Sequence, residues 1–227
     1  MSEALAFLVP SIVAVTVYAV WWLSEDQKIR RALQRAPRVD ICDAAAGQVV
    51  KIIGKVEPAG AQIQAPLSGR ACVLYEVLVE EQPTGTGSGT WRTLIRETNA
   101  VDFLLDDATG RAIVHTRPIR VHAERDLAYD SGFLNDATPA LEAFLEKHGR
   151  TSEGWVFNKR LRYSEGVLEA GQIVAALGEA GWERDPDPSC AGDGYRDVPK
   201  RLVLDAHDGA VIVSDEPTVT AVDAPRI

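Results

Sequence analysis

Cysteine is scarce in this sequence, and its three cysteines, Cys42, Cys72 and Cys190, form no close pair. An odd number of well-separated cysteines excludes a dense disulfide framework and fits a reducing compartment, where buried thiols are ordinary core residues. No CxxC motif occurs, and the four histidines are scattered without metal-ligand spacing. We therefore expect no metal and no other cofactor.

Basic residues are also in deficit, since 24 Lys and Arg face 33 Asp and Glu and leave a net charge of −9. This charge argues against a nucleic-acid partner, because sequence-independent binding to phosphates needs a basic surface. The deficit is uneven along the chain. No Lys or Arg occurs before residue 28, and then five follow closely: Lys28, Arg30, Arg31, Arg35 and Arg38.

Charge is absent altogether from residues 4–23, which read ALAFLVPSIVAVTVYAVWWL. A helix of about 20 apolar residues spans about 30 Å, the thickness of the hydrocarbon core of a bilayer. Tyr18, Trp21 and Trp22 collect at one end, where aromatic rings prefer the membrane interface. A cleaved signal peptide would need basic residues ahead of the apolar run, and none is there. The sequence therefore predicts a single N-terminal transmembrane helix at 4–23 that contacts the lipid bilayer.

The basic residues behind this run predict its orientation. Short flanks rich in Lys and Arg stay in the cytoplasm. We expect the N-terminus to face out, with the rest of the chain in the cytoplasm beneath the inner (cytoplasmic) membrane. Residues 24–38 would form a basic juxtamembrane segment.

The chain from 39 to 214 is typical of a β-rich domain. Short runs of alternating polarity, bounded by Gly, Pro and Asp, predict a small β-barrel or sandwich with one or two helices. The clearest strand is 48–58. The clearest helix is TPALEAFLEKHG, with Thr138 as N-cap. The polar stretch 215–227 is expected to be a loose tail.

The stretch IQAPLSGRACVLYEVLVE, residues 63–80, raises the question of a catalytic nucleophile. Ser68 lacks the flanking glycines and the following helix of a nucleophile elbow, so a turn is favoured. The apolar alternation that follows, at Ala71, Val73, Tyr75, Val77 and Val79, predicts a strand whose other face is only partly buried. Cys72 within it is expected to be a core thiol.

Two loops invite ligand-binding interpretations that their residues do not support. GTGSGT, at 85–90, lacks the Lys of a phosphate-binding P-loop and is interpreted as a hairpin tip. DPDPSCAGDG, at 185–194, lacks the Gly and Glu of a calcium loop and is interpreted as an acidic surface loop.

Three segments in a fixed order carry a family resemblance: GKVEPAGAQIQAPLSGRACVLYEVLVEE, then FLLDDATGRAIV, then RYSEGVLEAGQIVAALGEA. Over roughly residues 48–180 the chain resembles the GIDE-type domain, also called the beside-a-membrane domain. The positions that match the family pattern are Gly54, Pro66, Leu67, Gly69, Cys72, Tyr75, Phe103, Asp107, Gly110, Glu165, Gly171 and Gly178.

This resemblance implies a substrate-binding domain held beside a membrane. The best-known relatives are membrane-bound ubiquitin ligases with two transmembrane helices and a C-terminal RING. This chain has one apolar span, and its seven Cys and His residues cannot supply the ligands of a two-zinc RING. The ligase activity is therefore not expected to transfer. Without the RING and the second span, the resemblance implies a β-domain on one membrane anchor, as in bacterial relatives.

Our hypothesis is a membrane-anchored, cytoplasm-facing protein-interaction module without its own catalysis. Contact loops are expected at the hairpin tip 83–89 and in the stretch 185–197, where aromatic and acidic side chains suit a basic partner. The candidate binding residues there are Trp182, Asp185, Asp187, Asp193 and Tyr195.

The alternative is an enzyme or small-ligand-binding domain whose site assembles only in the fold. Its first candidates are Asp106, Asp107, His115, Arg162 and Glu165. A pocket with convergent polar groups would favour this alternative. An open sheet edge or an exposed apolar patch would favour the interaction module.

Overall fold

The computed structural model describes residues 25–83, 91–125, 127–131, 138–150, 159–187 and 199–221. The apolar run 4–23 lies outside these residues, as do most of the expected hairpin tip and the candidates Asp193 and Tyr195. Among the described residues, no helix has the length and apolar character needed to cross a membrane.

The described ranges contain thirteen strands and three α-helices, more helices than the one or two expected. The strands are β1 Val49–Pro58, β2 Ile63–Gln64, β3 Ala71–Cys72, β4 Leu74–Pro83, β5 Arg92–Ala100, β6 Phe103–Asp106, β7 Arg111–Val114, β8 Ile119–His122, β9 Leu127–Ser131, β10 Lys159–Leu168, β11 Ile173–Arg184, β12 Lys200–Asp205 and β13 Val211–Ser214. The helices are α1 Glu25–Arg35, α2 Pro139–Lys147 and α3 Pro217–Thr220, with a 3-10 turn at Ile41–Asp43.

Five strands close into a barrel in the order β1-β6-β7-β12-β11, with β11 pairing back to β1. Neighbours are antiparallel except β7 and β12, which are parallel. The spatial order β11-β1-β6-β7 is a Greek key, in which the fourth strand returns beside the first. Five-stranded Greek-key barrels form the architectural class that includes the OB-fold. This confirms a mostly β chain built on a small barrel.

Apolar side chains that alternate along the strands fill the barrel. Large examples are Ile52, Phe103, Leu105, Leu202 and Leu204, all completely buried. The N-terminal half of β11 also pairs with β13, which pairs in parallel with β8, so the barrel sheet extends past its closure by two strands.

A second sheet, in the order β5-β4-β10-β9, is built from two insertions into the barrel. Strands β4 and β5 lie between β1 and β6 in the chain, and β9 and β10 lie between β7 and β11. Strands β4 and β10 pair along ten residues each and join the two insertions.

Helix α2 covers one face of this second sheet. Thr138 caps its N-terminus by accepting a hydrogen bond from the Leu141 N–H at 3.3 Å, as the sequence predicts. Phe144 and Leu145 pack on the apolar side chains of β4, including Tyr75. The opposite face of β4 was expected to be only partly buried, and this was wrong. Leu74, Glu76 and Leu78 are all buried there: Leu74 packs in the barrel core, and Glu76 pairs with Arg96 of β5.

Helix α1 is part of the folded domain rather than a free linker. Ile29 and Leu33 are buried against Ile53, Leu177 and Ile212 on the outside of the barrel. Their spacing of four residues places both side chains on one face of the helix. The expected juxtamembrane segment 24–38 is therefore largely helical, and its first three turns are fixed to the domain.

The expected boundary at residue 215 also changes. Residues 215–221 pack on the domain, because Val219 of α3 is buried beside Ile29 of α1. The expectation of a loose tail does not hold for these residues. Residues 222–227 lie outside the described residues.

Two glycines of the family pattern let the barrel strands approach closely. A Cβ at Gly54 would lie 2.9 Å from the Asp106 carbonyl oxygen, and one at Gly178 would lie 2.6 Å from the Asp205 carbonyl oxygen. These contacts are with backbone atoms of neighbouring strands, which cannot move aside without breaking their pairing.

We expect Gly178→Ala to lower the free energy of unfolding by about 1–3 kcal/mol, the usual cost of overpacking. The added methyl group must push β12 away from β11. Gly60→Ala is the matched control, because a Cβ at Gly60 meets nothing within 4 Å. Urea unfolding of the two variants measures the difference, and equal stability would contradict the close approach.

Candidate functional site

The turn at residues 65–70 is held by a buried carboxylate. Glu165 on β10 is completely buried, and its two oxygens accept hydrogen bonds from the Leu67 N–H at 2.8 Å and the Ser68 N–H at 3.0 Å. Gly69 has φ +69°, a left-handed conformation that favours glycine. The Pro66 to Gly69 motif and Glu165 therefore form one structural unit, although they lie far apart in the sequence.

Neither nucleophile candidate in this stretch is activated. The Ser68 hydroxyl lies 3.4 Å from the Arg70 N–H, and no imidazole contacts it among the described residues. Cys72 is completely buried, and burial together with the Glu165 charge raises the pKa of its thiol to about 11. A thiol with a raised pKa holds its proton and is a poor nucleophile. The expectation of a turn and a core thiol is confirmed.

The remaining motif residues also have structural roles. Asp107 follows β6, and its carboxylate accepts from the Ile41 N–H at 2.7 Å and from the Gly110 N–H at 3.1 Å. A Cβ at Gly110 would lie 2.8 Å from the Ile41 side chain. Asp107 therefore fixes the β6–β7 hairpin against the segment that precedes β1. Gly171, with φ +94°, turns the chain between β10 and β11.

The acidic stretch is only partly described, and its described carboxylates are occupied. Asp185 is buried, and its side chain accepts from the Asp187 N–H at 3.0 Å. Asp187 pairs with Arg111 at 2.8 Å. Trp182 donates its indole N–H to the Ala44 carbonyl at 3.0 Å and keeps 38% of its surface exposed. Of these residues, only Trp182 combines an exposed side chain with the apolar area that a partner could bury.

The candidates for a hidden site do not converge. Arg162 pairs with Glu80 at 2.6 Å and lies over the Trp91 ring. Asp106 accepts from the Ala108 N–H at 2.7 Å within the β6–β7 turn. Arg162 and Glu165 lie on β10, whereas Asp106 and Asp107 lie at the end of β6, and each of the four stabilises the structure around it.

His115 is the exception, because it lines an open cleft of about 520 Å³ at the barrel rim. Its Nδ1 lies 2.7 Å from the Asp205 carboxylate, which leaves Nε2 directed away from that pair. Asp102 and Arg117 line the same cleft. Among the described residues, no three side chains of the metal-ligating types are grouped closely enough to hold a metal ion.

Strand β5 is an open sheet edge. It pairs with β4 on one side and with no strand on the other, within the ranges that the structure describes. Thr98 and Asn99 in its second half are exposed. Alternate backbone N–H and C=O groups of an edge strand face outward and can pair with another chain.

A β-bulge divides this edge. The register with β4 shifts where Val79 pairs with Ile95 and Glu80 pairs with Thr93, which leaves Leu94 as the extra residue. Bulges and charged side chains are common protections of an edge strand. The uninterrupted part of the edge is therefore the six residues from Ile95 to Ala100.

A polar cluster joins this edge to α2. Glu97 accepts from the Tyr75 hydroxyl at 2.6 Å, and its carboxylate lies 2.9 Å from Lys147 Nζ and 3.0 Å from His148 Nε2. His148 therefore binds a carboxylate besides packing on Phe144. Burial, and next its hydrogen bond to Glu97, raises the pKa of Tyr75 to about 12. No local sequence signal identifies Glu97, because its partners lie on two other elements.

We expect Glu165→Gln to lower the free energy of unfolding by about 1–3 kcal/mol, because the amide replaces one acceptor oxygen with an NH2 group that faces the N–H of Leu67 or Ser68. Ser68→Ala should cost less than about 0.5 kcal/mol. Chemical denaturation compares the two variants. Inactivity of a fully folded Ser68→Ala protein in a partner-binding assay would contradict the structural interpretation.

The raised pKa values of Cys72 and Tyr75 predict alkaline destabilisation. Unfolding lets both groups release protons near their ordinary pKa values of 9.0 and 10.0, whereas the folded protein holds them to about 11 and about 12. The free energy of unfolding should therefore fall as the pH rises from about 9 to about 12. Tyr75→Phe should flatten the upper part of this fall, and Cys42→Ser, at an exposed thiol, should not.

Comparisons with other proteins do not identify the chain, because no protein-family model, no curated protein and no solved structure matches it.

Proposed function

We propose that this protein is a membrane-anchored, cytoplasm-facing module that binds a protein partner at the β5 edge of its second sheet. The observation that carries the proposal is the side of β5 that pairs with no strand in the described part of the chain, where the six residues Ile95–Ala100 could accept an added strand. Addition of an extended peptide to a sheet edge is a common mode of protein recognition.

The residues around the β5 edge hold it rigidly, which favours the addition of a partner strand. Helix α2 lies on one face of the same sheet, and its C-terminal end reaches β5 through the pair of Lys147 with Glu97. On the other face, Arg96 pairs with Glu76 at 2.8 Å and with Asp26 of α1 at 3.0 Å. An added strand would therefore lie beside a rigid edge whose side chains are already held on both faces.

The anchor part of the proposal rests on the sequence and on α1. The apolar run ends at residue 23, and the described helix begins at Glu25. Because Ile29 and Leu33 fix this helix to the barrel, a membrane span before it would hold the domain in one orientation instead of on a flexible tether. A fixed orientation favours partners that approach along the membrane surface, where a high effective concentration lets weak contacts suffice.

The GIDE-type resemblance supports the same proposal, because that family holds a substrate-binding domain beside a membrane. The matching residues keep the fold in this chain: Glu165 closes the turn at 65–70 and Asp107 closes the β6–β7 hairpin. We propose membership of that family without its ligase chemistry.

A second candidate function is small-ligand binding at the His115 cleft, which the His115–Asp205 pair at 2.7 Å favours. When Nδ1 of a neutral imidazole donates its N–H to a carboxylate, Nε2 is left as a hydrogen-bond acceptor or base. Partner binding at β5 should survive His115→Ala, which separates the two candidates.

Site-specific photo-crosslinking tests the proposed edge. A photoreactive residue at Thr98, expressed in full-length protein in its own membrane, should yield a partner adduct. The same group at Ala143, on the exposed side of α2, is the control and should yield far less. Equal labelling at both positions would contradict a specific edge.

A proline pair sharpens the test. Successive N–H groups of β5 alternate between the β4 ladder and the open side. Proline at Thr98 or at Asn99 should therefore remove an outward donor in one variant and a ladder bond in the other. We expect the better-folded variant of the two to lose about tenfold or more in partner affinity. Undiminished binding by that variant would exclude strand addition.

A reporter that is active only after export, fused behind the C-terminal Ile227 so that α3 is kept, tests the orientation. The fusion should remain inactive in cells and sediment with membranes. Strong reporter activity would overturn the cytoplasmic placement.

A further inference from the structure

A cleft of about 340 Å³ lies between α1, the segment that follows β8 and the start of α3. Asp26 and Arg30 of α1 line one side, and they lie one helical turn apart. His122, Arg125 and Glu216 line the others.

The floor of the cleft is an ion-pair network. Arg30 donates from Nε to the Glu216 carboxylate at 2.8 Å, and Arg96 donates to Asp26 at 3.0 Å. His122 lies between the two acids, 3.7 Å from Asp26 and 3.8 Å from Glu216, which is too far for direct hydrogen bonds. Nearby His122 and Arg96 hold the pKa of Asp26 well below its usual range, against the effect of burial.

The rim of the cleft carries two charges of opposite sign. Glu124 and Arg125 are adjacent and exposed. Glu124 donates its backbone N–H to Asp215, but neither side chain has an ion-pair partner among the described residues. A cleft with a paired floor and a free anion and cation at its rim suits a ligand that also carries both charges.

The composition of the cleft narrows the ligand further. Three carboxylates and two guanidiniums line it, so an anion alone would meet more repulsion than attraction. A primary ammonium can donate to Glu124 and Asp26, while a phosphate can accept from Arg125 in a charge-assisted contact. A quaternary ammonium has no N–H to donate.

We propose that this cleft binds a phosphoethanolamine group. The identification of a lipid as the source of this group rests on the proposed function, which places the domain beside a membrane. A membrane span ending at residue 23 would put Asp26, only three residues further on, within about 5 Å of the bilayer along a continuous helix. That is the level of phospholipid head groups, so phosphatidylethanolamine is the expected source, and the soluble zwitterion is the alternative source of the same chemistry.

The lipid arm of the test uses full-length protein in nanodiscs that contain equal parts of phosphatidylethanolamine, phosphatidylcholine and phosphatidylglycerol. Native mass spectrometry measures the lipid retained by the protein. We expect phosphatidylethanolamine to be retained about tenfold over the other two lipids, the ratio that one charged hydrogen bond supplies. Glu124→Gln should abolish this preference, whereas Arg125→Gln should lower the retention of all three lipids, because each of them carries a phosphate.

The matched controls are Glu146→Gln and Arg184→Gln, which change exposed side chains away from the cleft. They should keep the preference. Equal retention of the three lipids, or loss of the preference in the controls, would overturn the lipid source.

The soluble arm adds glycerophosphoethanolamine to full-length protein in detergent and follows the His122 ring signals by NMR. Saturable chemical-shift changes, with an affinity that falls about tenfold in Arg125→Gln, support the ligand chemistry whether or not the chain is a membrane protein. Their absence together with equal lipid retention overturns the proposal. Failure of the chain to sediment with membranes would instead overturn the proposed function and leave this arm to decide the ligand.

Discussion

The docking of α1 on the barrel is the interaction on which the rest of the account depends. Ile29 and Leu33 are 3% and 0% exposed beneath this helix, and burial of two such side chains contributes about 3–6 kcal/mol. Asp26 and Arg30 add ion pairs to Arg96 and Glu216. The contact turns the segment after the apolar run into a structural part of the domain.

The second sheet gives the fold its interaction surface. Two insertions into a closed barrel meet as β4 and β10, and the barrel itself leaves no edge among its five strands. The open edge of β5 therefore belongs to the inserted sheet and not to the scaffold. Asp26 pairs with Arg96 on that edge strand, so the contact that holds α1 also stiffens the surface proposed to bind a partner.

Local patterns in the sequence predicted the elements but not their long-range partners. Alternation identified β1, and the Thr138 cap identified α2, because both signals lie within a few residues. Glu165 matched a family pattern, yet its role became evident only when β10 lay beside the turn at 65–70. The buried second face of β4 was missed because Glu76 pairs with Arg96 of a different strand. The acidic stretch was chosen for its composition, whereas Asp185 and Asp187 have partners within the fold.

Hydrogen exchange of full-length protein in lipid nanodiscs tests the docked helix most directly. If α1 is a fixed part of the domain, its amides between Ile29 and Arg35 should exchange far more slowly than those of an isolated helix, because opening the helix exposes the buried Ile29 and Leu33 side chains. Ile29→Asp together with Leu33→Asp should release the helix and leave the barrel amides protected. Fast exchange of the α1 amides in the unaltered protein, at the rate of an isolated helix, would contradict the account.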